Sequence, residues 1–346
     1  MKLTQENWGH IEGQEVPVKL FTLANEHGMT IRVTNYGCIV SSIEVPDRNG
    51  QIADVVLGYE NLEKYVAGHP FFGAVAGRFA NRIRDGRYQL DGQVFQLETN
   101  ELPTGQHLHG GSKGFDKYVW NYALEEQSEA IFVHFSRISP DGESGFGGNL
   151  VVTHSIGLDE QNQVHYNFTA HTDQSTVVNL VNHSYYNLGG HDSGTVDNHQ
   201  LTLQSEFYTP VDETMIPTGE ICSVTGSDLD FTSRTEVGNR EFDHNFILNG
   251  DTDRQGYRIA AELYEPNSGR AMTVFTTQPA VQFYNGFKLS NKPWYGRNGH
   301  KYENREGLCL ETQHYPDSPN QAHFPSVRLN PGELFEEKTI HRFEVK

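Results

Sequence analysis

The sequence predicts an all-β protein, a large antiparallel β-sandwich with very little helix. In many segments apolar and polar residues alternate with a period of two, the spacing that puts successive side chains on opposite faces of a strand. Turn-forming sequences rich in Asp, Asn, Gly and Pro separate these segments. Only residues 61–66 have a convincing helical pattern, and that segment is short. Many strands in an unbroken chain favour a sandwich, with or without further sheet layers.

The clearest strand is residues 164–170, and residues 131–136 show the same alternation with weaker contrast. A hairpin is predicted from residues 87–90 and 93–97 around Asp91-Gly92, because Asp-Gly supplies the positive φ angles of a type I′ turn. Further strands are predicted at 15–23, 29–46, 53–58, 117–124, 149–157, 200–205, 257–265, 271–277, 280–284, 307–313 and 337–345.

The chain has no internal repeat, low-complexity linker or shift in composition that would mark a boundary. All-β proteins often exceed 200 residues as one domain, so length alone does not divide this chain. We therefore predict a single domain over residues 1–346.

The amino-acid composition limits the classes of partner that the protein can bind and the cellular compartment in which we expect it. The formal net charge of −19 argues against nucleic acid and anionic membrane as partners, because both need basic surface. It fits a small neutral ligand, and it also fits a protein that is simply highly soluble. No stretch approaches the about 18 apolar residues of a membrane span. The first residues lack a signal-peptide core, and we expect a cytoplasmic protein.

Three cysteines, Cys38, Cys222 and Cys309, lie far apart in the sequence. An odd number without a C-x-x-C pair argues against a disulfide framework and against a zinc ribbon.

One candidate for proton transfer follows the apolar run 177–181. This run is predicted to be a strand, and Asn182-His183-Ser184 comes directly after it and leads into two tyrosines. The ordinary pKa of histidine lets it give and take a proton near neutral pH. In this segment alone His183 is equally typical of a structural histidine that hydrogen-bonds to backbone.

A second candidate for proton transfer is a carboxylate in the predicted strand 307–313. Alternation puts Glu311 on the same face as Cys309 and Gln313, inside an otherwise apolar strand. A carboxylate is costly to bury without a partner or a task. Glu311 is therefore either a functional residue or a structural residue paired with an arginine.

The remaining candidates are hydrogen-bonding groups. Asn81 and Arg82 offer fixed donors for hydroxyl groups, although the arginine can also brace a loop carboxylate. His109 is favoured as a hydrogen-bonding residue over a metal ligand, because no Cys or carboxylate nearby completes a ligand set. Asp243 can accept from hydroxyls or form an Asx turn, and Gln282 can contact a ligand or be a satisfied core amide.

Together these side chains provide one acid, one base and several neutral hydrogen-bonding groups. The sequence has no metal-ligand set, nucleotide loop or cofactor lysine, so we predict no cofactor and no metal. Such an inventory suits proton transfer on a small polyhydroxylated substrate.

The chain resembles the aldose 1-epimerase (galactose mutarotase) family over nearly its whole length. The matching segments, in order, are Tyr36-Gly37, Val45–Arg48, Gly77–Ile83, Leu108–Lys117, Asn179–Leu188, Ile216–Gly219, Phe242–Phe246, Gln282–Tyr284, Leu310–Gln313 and Pro316–Gln321. Each segment alone is a weak signal, but the ordered set is highly specific. One departure is Tyr284-Asn285-Gly286-Phe287, where the family usually has Tyr-x-Gly-Asn-Phe.

The resemblance implies a supersandwich of antiparallel strands with an open sugar cleft, and a role in hexose metabolism. It implies that Glu311 is the general base for the C1 hydroxyl, that His183 is the general acid for the ring oxygen and that His109 assists them. The implied hydroxyl-binding residues are Asn81, Arg82, Asp243 and Gln282. The implied substrate is a free aldohexose such as D-galactose or D-glucose, without a cofactor, and the protein is expected to be a monomer or homodimer.

Two other functions stay open at this point. A related enzyme acting on hexose 6-phosphates would need additional basic residues around the cleft. A non-catalytic sugar-binding module on the same sandwich would tolerate loss of Glu311 or His183, and both residues are present.

Overall fold

A computed structural model describes residues 1–14, 16–102 and 104–346. Within these residues the secondary structure is almost entirely β. The strands are β1 (Lys2–Gly9), β2 (Val18–Ala24), β3 (Thr30–Thr34), β4 (Val40–Pro46), β5 (Ile52–Asp54), β6 (Ala74–Ala76), β7 (Arg82–Ile83), β8 (Arg87–Leu90), β9 (Gln93–Gln96), β10 (His107–Leu108), β11 (Asn121–Glu126), β12 (Ala130–Ser139), β13 (Leu150–Asp159), β14 (Gln163–Thr172), β15 (Thr176–Val177), β16 (Val181–His183), β17 (Gln200–Leu203), β18 (Phe207–Thr209), β19 (Cys222–Ser223), β20 (Thr235–Glu236), β21 (Asp243–Ile247), β22 (Arg258–Tyr264), β23 (Arg270–Thr276), β24 (Ala280–Tyr284), β25 (Trp294–Tyr295), β26 (Lys301–Tyr302), β27 (Cys309–Gln313), β28 (Arg328–Leu329) and β29 (Phe335–Val345).

Helix is scarce in the described part of the chain. The α-helix α1 (Leu62–Ala67) has six residues, and the Asn61 side chain accepts a hydrogen bond from the Lys64 amide as its N-cap. Single 3₁₀ turns occur at Arg84–Gly86, Phe115–Lys117, Glu143–Gly145, Leu289–Asn291, Arg297–Gly299 and Ser318–Asn320. The helix predicted at 61–66 is confirmed. None of the described helices is long and apolar enough to cross a membrane.

Three sheets dominate the molecule. A nine-stranded sheet has the order β11-β12-β13-β14-β29-β23-β22-β17-β20. Two five-stranded sheets have the orders β1-β2-β3-β4-β5 and β19-β18-β21-β24-β27. Adjacent strands in all three sheets are antiparallel, so the predicted antiparallel architecture is confirmed.

Both five-stranded sheets pack against the nine-stranded sheet. The ring of Phe21 on β2 lies 6.0 Å from that of Phe135 on β12, centroid to centroid. On the other five-stranded sheet, the hydroxyl of Thr312 on β27 lies 2.7 Å from that of Thr339 on β29. A continuous apolar core fills the space between the sheets and includes the fully buried Trp120. The molecule is thus a large sandwich with one broad layer opposite two smaller ones.

The predicted hairpin is confirmed. Strands β8 and β9 pair antiparallel across the Asp91-Gly92 turn. Both turn residues have positive φ angles, 52° for Asp91 and 79° for Gly92, as a type I′ turn requires.

The single strand predicted at 29–46 is wrong. The structure has two strands there, β3 and β4, which pair with each other antiparallel across residues 35–39. Gly37 permits this turn, because its φ is 62° and a Cβ at that position would lie 2.4 Å from the Asp116 carbonyl oxygen. The strand predicted at 15–23 includes Glu15, which lies outside the described residues, and the observed strand β2 begins at Val18.

Candidate active site

One cleft brings together the residues that the sequence singled out. A cavity of about 260 Å³ is lined by six of them and by seven other residues: Asn81, Arg82, His109, His183, Asp243 and Glu311, with Pro70, Phe71, Glu101, Leu108, Tyr185, Tyr284 and Lys288. The seventh predicted residue, Gln282, lies directly behind this lining and donates from Nε2 to the Asp243 carboxylate at 2.7 Å.

A larger cavity of about 550 Å³ lies elsewhere, between Asp47, Asp197, Glu265 and Arg270. Its charged groups are already engaged by the protein. Arg270 donates to backbone carbonyls, Glu265 accepts from backbone amides, and Asp197 is paired with Arg305 at 2.9 Å. The smaller cleft, with its histidines and buried carboxylate, is therefore the better candidate for chemistry.

Glu311 is held in the middle of strand β27. It pairs across the sheet with Gln282 of β24, which in turn pairs with Asn245 of β21. The side chain of Glu311 is only 3% exposed, and Oε2 has no hydrogen-bond partner among the described residues. A carboxylate oxygen so placed is available to a ligand that enters the cleft.

His183 lies at the end of strand β16, which pairs antiparallel with β6. The apolar run 177–181 is not the continuous strand that the sequence suggested, because β15 and β16 are separate strands with residues 178–180 between them. The Nε2 atom of His183 lies 3.5 Å from Glu311 Oε1. Its Nδ1 atom lies 3.6 Å from the Cys309 thiol sulfur.

His109 is fixed in a left-handed backbone conformation, with φ of 52°. Its Nδ1 atom accepts a hydrogen bond from the Asn81 amide at 3.2 Å, so in the neutral ring the proton is on Nε2. The ring lies 5.2 Å from that of His183, centroid to centroid. The neighbouring His107 is directed elsewhere and contacts the Glu98 carbonyl oxygen, so the two histidines do not share the cleft.

Arg82 lies between two of the three carboxylates that line the cleft, those of Glu101 and Asp243. Its Nε and Nη2 atoms form a bidentate pair with Glu101 at 2.8 and 2.6 Å. Its Nη1 atom lies 3.8 Å from Asp243 Oδ2. The alternative that this arginine braces a loop carboxylate is therefore correct, and the same side chain also lines the cleft.

Burial controls the protonation of the central pair. It raises the pKa of Glu311 well above its ordinary value, with a further increase from the Asp243 charge and a decrease from Arg82. It lowers the pKa of His183 to about 4, opposed by a backbone hydrogen bond and by Asp243. Both shifts favour the uncharged forms. Because the two groups lie 3.5 Å apart, we treat them as a pair whose proton binding is linked.

Sequence reasoning missed several lining residues. Glu101 gave no signal, because only the fold brings it to Arg82, 19 positions away. Phe71 and Lys288 also line the cleft without a recognisable motif. Tyr185 follows His183 by two positions, and the paired tyrosines of that segment were the available clue.

Comparison with known proteins gives the family of the chain. Residues 19–342 match the sequence model of the family described as aldose 1-epimerase. The chain belongs to the aldose 1-epimerase family. Bovine galactose mutarotase is 42% identical over 95% of the chain and 94% of its own length, and human galactose mutarotase is 40% identical over 99% of both. The aldose 1-epimerase of Escherichia coli K12 is 34% identical over 94% of the chain and 95% of its own length.

Solved structures show the same architecture. The GalM/aldose epimerase homologue from C. elegans has a TM-score of 0.87 at 25% identity, covering 94% of this chain and 98% of its own. Galactose 1-epimerase from Lactobacillus acidophilus has a TM-score of 0.84 at 28% identity, covering 99% of both chains. The fold is galactose mutarotase-like, and the chain is an isomerase, an aldose 1-epimerase or mutarotase, with an aldose as substrate.

Proposed function

We propose that the chain interconverts the α and β anomers of free aldohexoses such as D-galactose and D-glucose. The observation that carries this proposal is the placement of His183 Nε2 and Glu311 Oε1 3.5 Å apart in the cleft. A carboxylate and an imidazole so close can serve neighbouring oxygens of one sugar, the C1 hydroxyl and the ring oxygen.

Ring opening transfers two protons. Glu311 takes the proton of the C1 hydroxyl, and the electron pair of that O–H bond forms the C1=O double bond. The C1–O5 bond breaks, and O5 keeps its electrons and takes the proton of the His183 imidazolium. Rotation about C1–C2 then presents the other face of the aldehyde, and the ring closes with the two roles reversed.

The burial of the pair favours the ring-opened state. Before opening, the pair is a carboxylate and an imidazolium, and afterwards it is a carboxylic acid and a neutral imidazole. The shifted pKa values of both groups favour the second, uncharged arrangement. Arg82 supports the Glu311 anion and Asp243 supports the His183 cation, so the ionised arrangement needed for opening remains accessible.

We assign His109 the role of a hydrogen-bond donor at the reacting end of the sugar. Because its Nδ1 atom accepts from Asn81, its Nε2 proton is available to a sugar oxygen on which charge develops. Burial lowers its pKa well below the ordinary value, which keeps the ring neutral.

The other predicted residues are proposed to hold the sugar hydroxyls. Asp243 is oriented by Gln282 on one side and approached by Arg82 on the other, so its carboxylate is a fixed acceptor. Asn81 and Arg82 adjoin it in the cleft lining and offer donors.

The charges of the cleft favour a neutral sugar over a hexose 6-phosphate. Three carboxylates, Glu101, Asp243 and Glu311, line it together with two cationic side chains, Arg82 and Lys288. Arg82 is committed to Glu101. The net charge of −19 adds a general repulsion for anions. A non-catalytic sugar-binding module is also disfavoured, since the acid–base pair is present and in contact.

Polarimetry tests this function. Protein is added to freshly dissolved α-D-galactose, α-D-glucose and the corresponding 6-phosphates, and the optical rotation is followed against sugar alone. We expect accelerated mutarotation of the free sugars and a much smaller effect on the phosphates. No acceleration with either free sugar would refute the proposal, and acceleration only with a 6-phosphate would support the sister activity.

We further propose that residues 1–346 form one domain, that the protein acts in the cytoplasm as a monomer or homodimer, and that it has neither nucleic-acid nor membrane partners. The three free cysteines support a reducing compartment. Cell fractionation tests the location, and light scattering coupled to gel filtration tests the oligomeric state.

A further inference from the structure

We propose that Phe71 is a substrate-binding residue whose ring packs against the apolar face of the pyranose at its reacting end. This inference rests on the proposed function, because it concerns the same cleft. Aromatic rings present an apolar surface with a polarised face, which suits the C–H groups that line one face of a sugar ring.

The first observation is the position of the ring. Phe71 lines the cleft and is half-buried. Its ring centroid lies 4.7 Å from that of His109 and 5.7 Å from that of His183, with an angle of 29° to the latter ring. The phenyl ring therefore adjoins both imidazoles of the site and forms an apolar wall beside the atoms that transfer protons.

The second observation is the backbone of Phe71. Its φ is 66°, in the left-handed region that bulky side chains rarely adopt. Such strain persists where the surrounding structure fixes it, and it clusters at ligand-binding and active sites. A glycine would adopt this conformation without strain, so a phenylalanine here points to a use for its ring.

The third observation is how the turn is fastened. The Phe71 carbonyl accepts from the Ala74 amide at 3.0 Å, which closes the turn. The Gly73 amide donates to the His183 carbonyl at 3.0 Å, and the Asn182 side chain donates to the Gly73 carbonyl at 2.8 Å. The turn that carries Phe71 is thus bonded directly to the strand that carries His183, which sets the ring at a fixed distance from the acid–base pair.

Three variants and one control separate binding from stability. Phe71→Ala and Phe71→Gly both remove the ring, but only the alanine retains the left-handed strain. Phe71→Tyr keeps the ring. The control is Phe132→Ala, since Phe132 is also half-buried and also stacks on a histidine, His134, but lies outside the cleft lining.

Binding is measured by calorimetry with 1,5-anhydro-D-galactitol, a galactose analogue that lacks the C1 hydroxyl and cannot open. Polarimetry gives KM and kcat for D-galactose, and melting temperatures give stability. We expect Phe71→Ala and Phe71→Gly to weaken analogue binding by about tenfold and to raise KM similarly. We expect kcat to change less than KM. The melting temperature of the glycine variant should equal or exceed that of the alanine variant. Phe71→Tyr and Phe132→Ala should bind the analogue like the wild type.

Two results would overturn the role of Phe71 while leaving the proposed function intact. The first is that Phe71→Ala binds the analogue as tightly as the wild-type protein does, while the wild-type protein accelerates mutarotation. The other is a loss of affinity that follows stability, with the glycine variant binding clearly better than the alanine variant. A wild-type protein that does not accelerate mutarotation would instead refute the proposed function and this inference with it.

Discussion

At the residue scale, the site is a buried carboxyl group in contact with a buried imidazole. Burial disfavours the charged form of each group, so neither position is explained by stability alone. Their separation of 3.5 Å gives each a partner, and the proposed reaction uses both groups, one to take a proton and the other to give one.

Two substitutions test these roles. Glu311→Gln keeps the size and burial of the side chain but cannot accept a proton, and His183→Asn removes the acid. Because a positioned acid or base contributes about 10²–10⁴ in rate, we expect each variant to lose several orders of magnitude in turnover by polarimetry. Circular dichroism should show an unchanged fold. A near-normal rate for Glu311→Gln would mean that another residue is the base.

The pH profile follows from the coupled pair. Catalysis needs one proton on the pair, with Glu311 ionised and His183 protonated in the productive arrangement. As the pH falls through about 4, the lowered pKa of His183, a second proton is bound and no base remains. As the pH rises through the raised pKa of Glu311, the last proton is lost and no acid remains. We expect a bell-shaped profile of kcat/KM, and a flat profile from acid to alkaline pH would contradict the pair.

Residue types and spacing in the sequence singled out seven candidate residues, and six of them line the cleft. Alternation placed Glu311 inside an apolar strand, and motif resemblance suggested its role. The pairing of Arg82 with Glu101 could not be predicted, because it depends on a contact that only the folded loop makes. The strained backbone of Phe71 likewise has no sequence signature.

At the element scale, one sheet sets the spacing of three site residues. Asp243, Gln282 and Glu311 lie on the adjacent strands β21, β24 and β27. Glu311 and Gln282 are direct cross-strand partners, and Gln282 reaches Asp243 by a side-chain hydrogen bond. Antiparallel pairing thus turns positions far apart in the chain into neighbours on one surface.

The loop that carries His109 depends on a close backbone approach. A Cβ at Gly110 would lie 1.8 Å from the Gly77 carbonyl oxygen, and φ at Gly110 is 91°. We expect Gly110→Ala to lower the melting temperature and, by displacing His109, the turnover. The matched control is Gly92→Ala, which has φ of 79° but nothing within 4 Å of the added atom. Equal melting temperatures for the two variants would refute this requirement.

There are physical reasons why sequence patterns failed to predict some of the elements. Strand β1 is an edge strand that is mostly exposed, so it lacks the apolar alternation that identifies half-buried strands. The turn inside residues 29–46 was missed because apolar residues flank it closely and continue within it, and only Asn35 and Gly37 mark the reversal of the chain. Alternation of apolar and polar residues identifies a strand only when one face of the strand is buried and the other is exposed.

At the scale of the whole molecule, the site strands are anchored on the nine-stranded sheet. The hydroxyl of Tyr186, three residues after His183, forms a hydrogen bond of 2.6 Å with Nδ1 of His341 on β29. Thr312, adjacent to Glu311, contacts Thr339 of the same strand. Residues near both members of the acid–base pair therefore contact one long strand near the end of the chain.

This anchoring predicts that the proposed single domain cannot be divided. We expect limited proteolysis to degrade the protein without releasing a fragment that retains folded structure, because each five-stranded sheet buries its apolar face against the nine-stranded sheet. A nicked chain held together by its contacts is compatible with this expectation. Recovery of a shorter fragment that remains folded alone, judged by circular dichroism, would contradict it.

A crystal structure of the Glu311→Gln protein with D-galactose would show whether Glu311 and His183 flank the bond that opens. We expect the C1 hydroxyl within hydrogen-bond distance of the side chain at position 311 and the ring oxygen within that distance of His183 Nε2. A galactose bound in the cleft with both oxygens out of reach of these two side chains would contradict it.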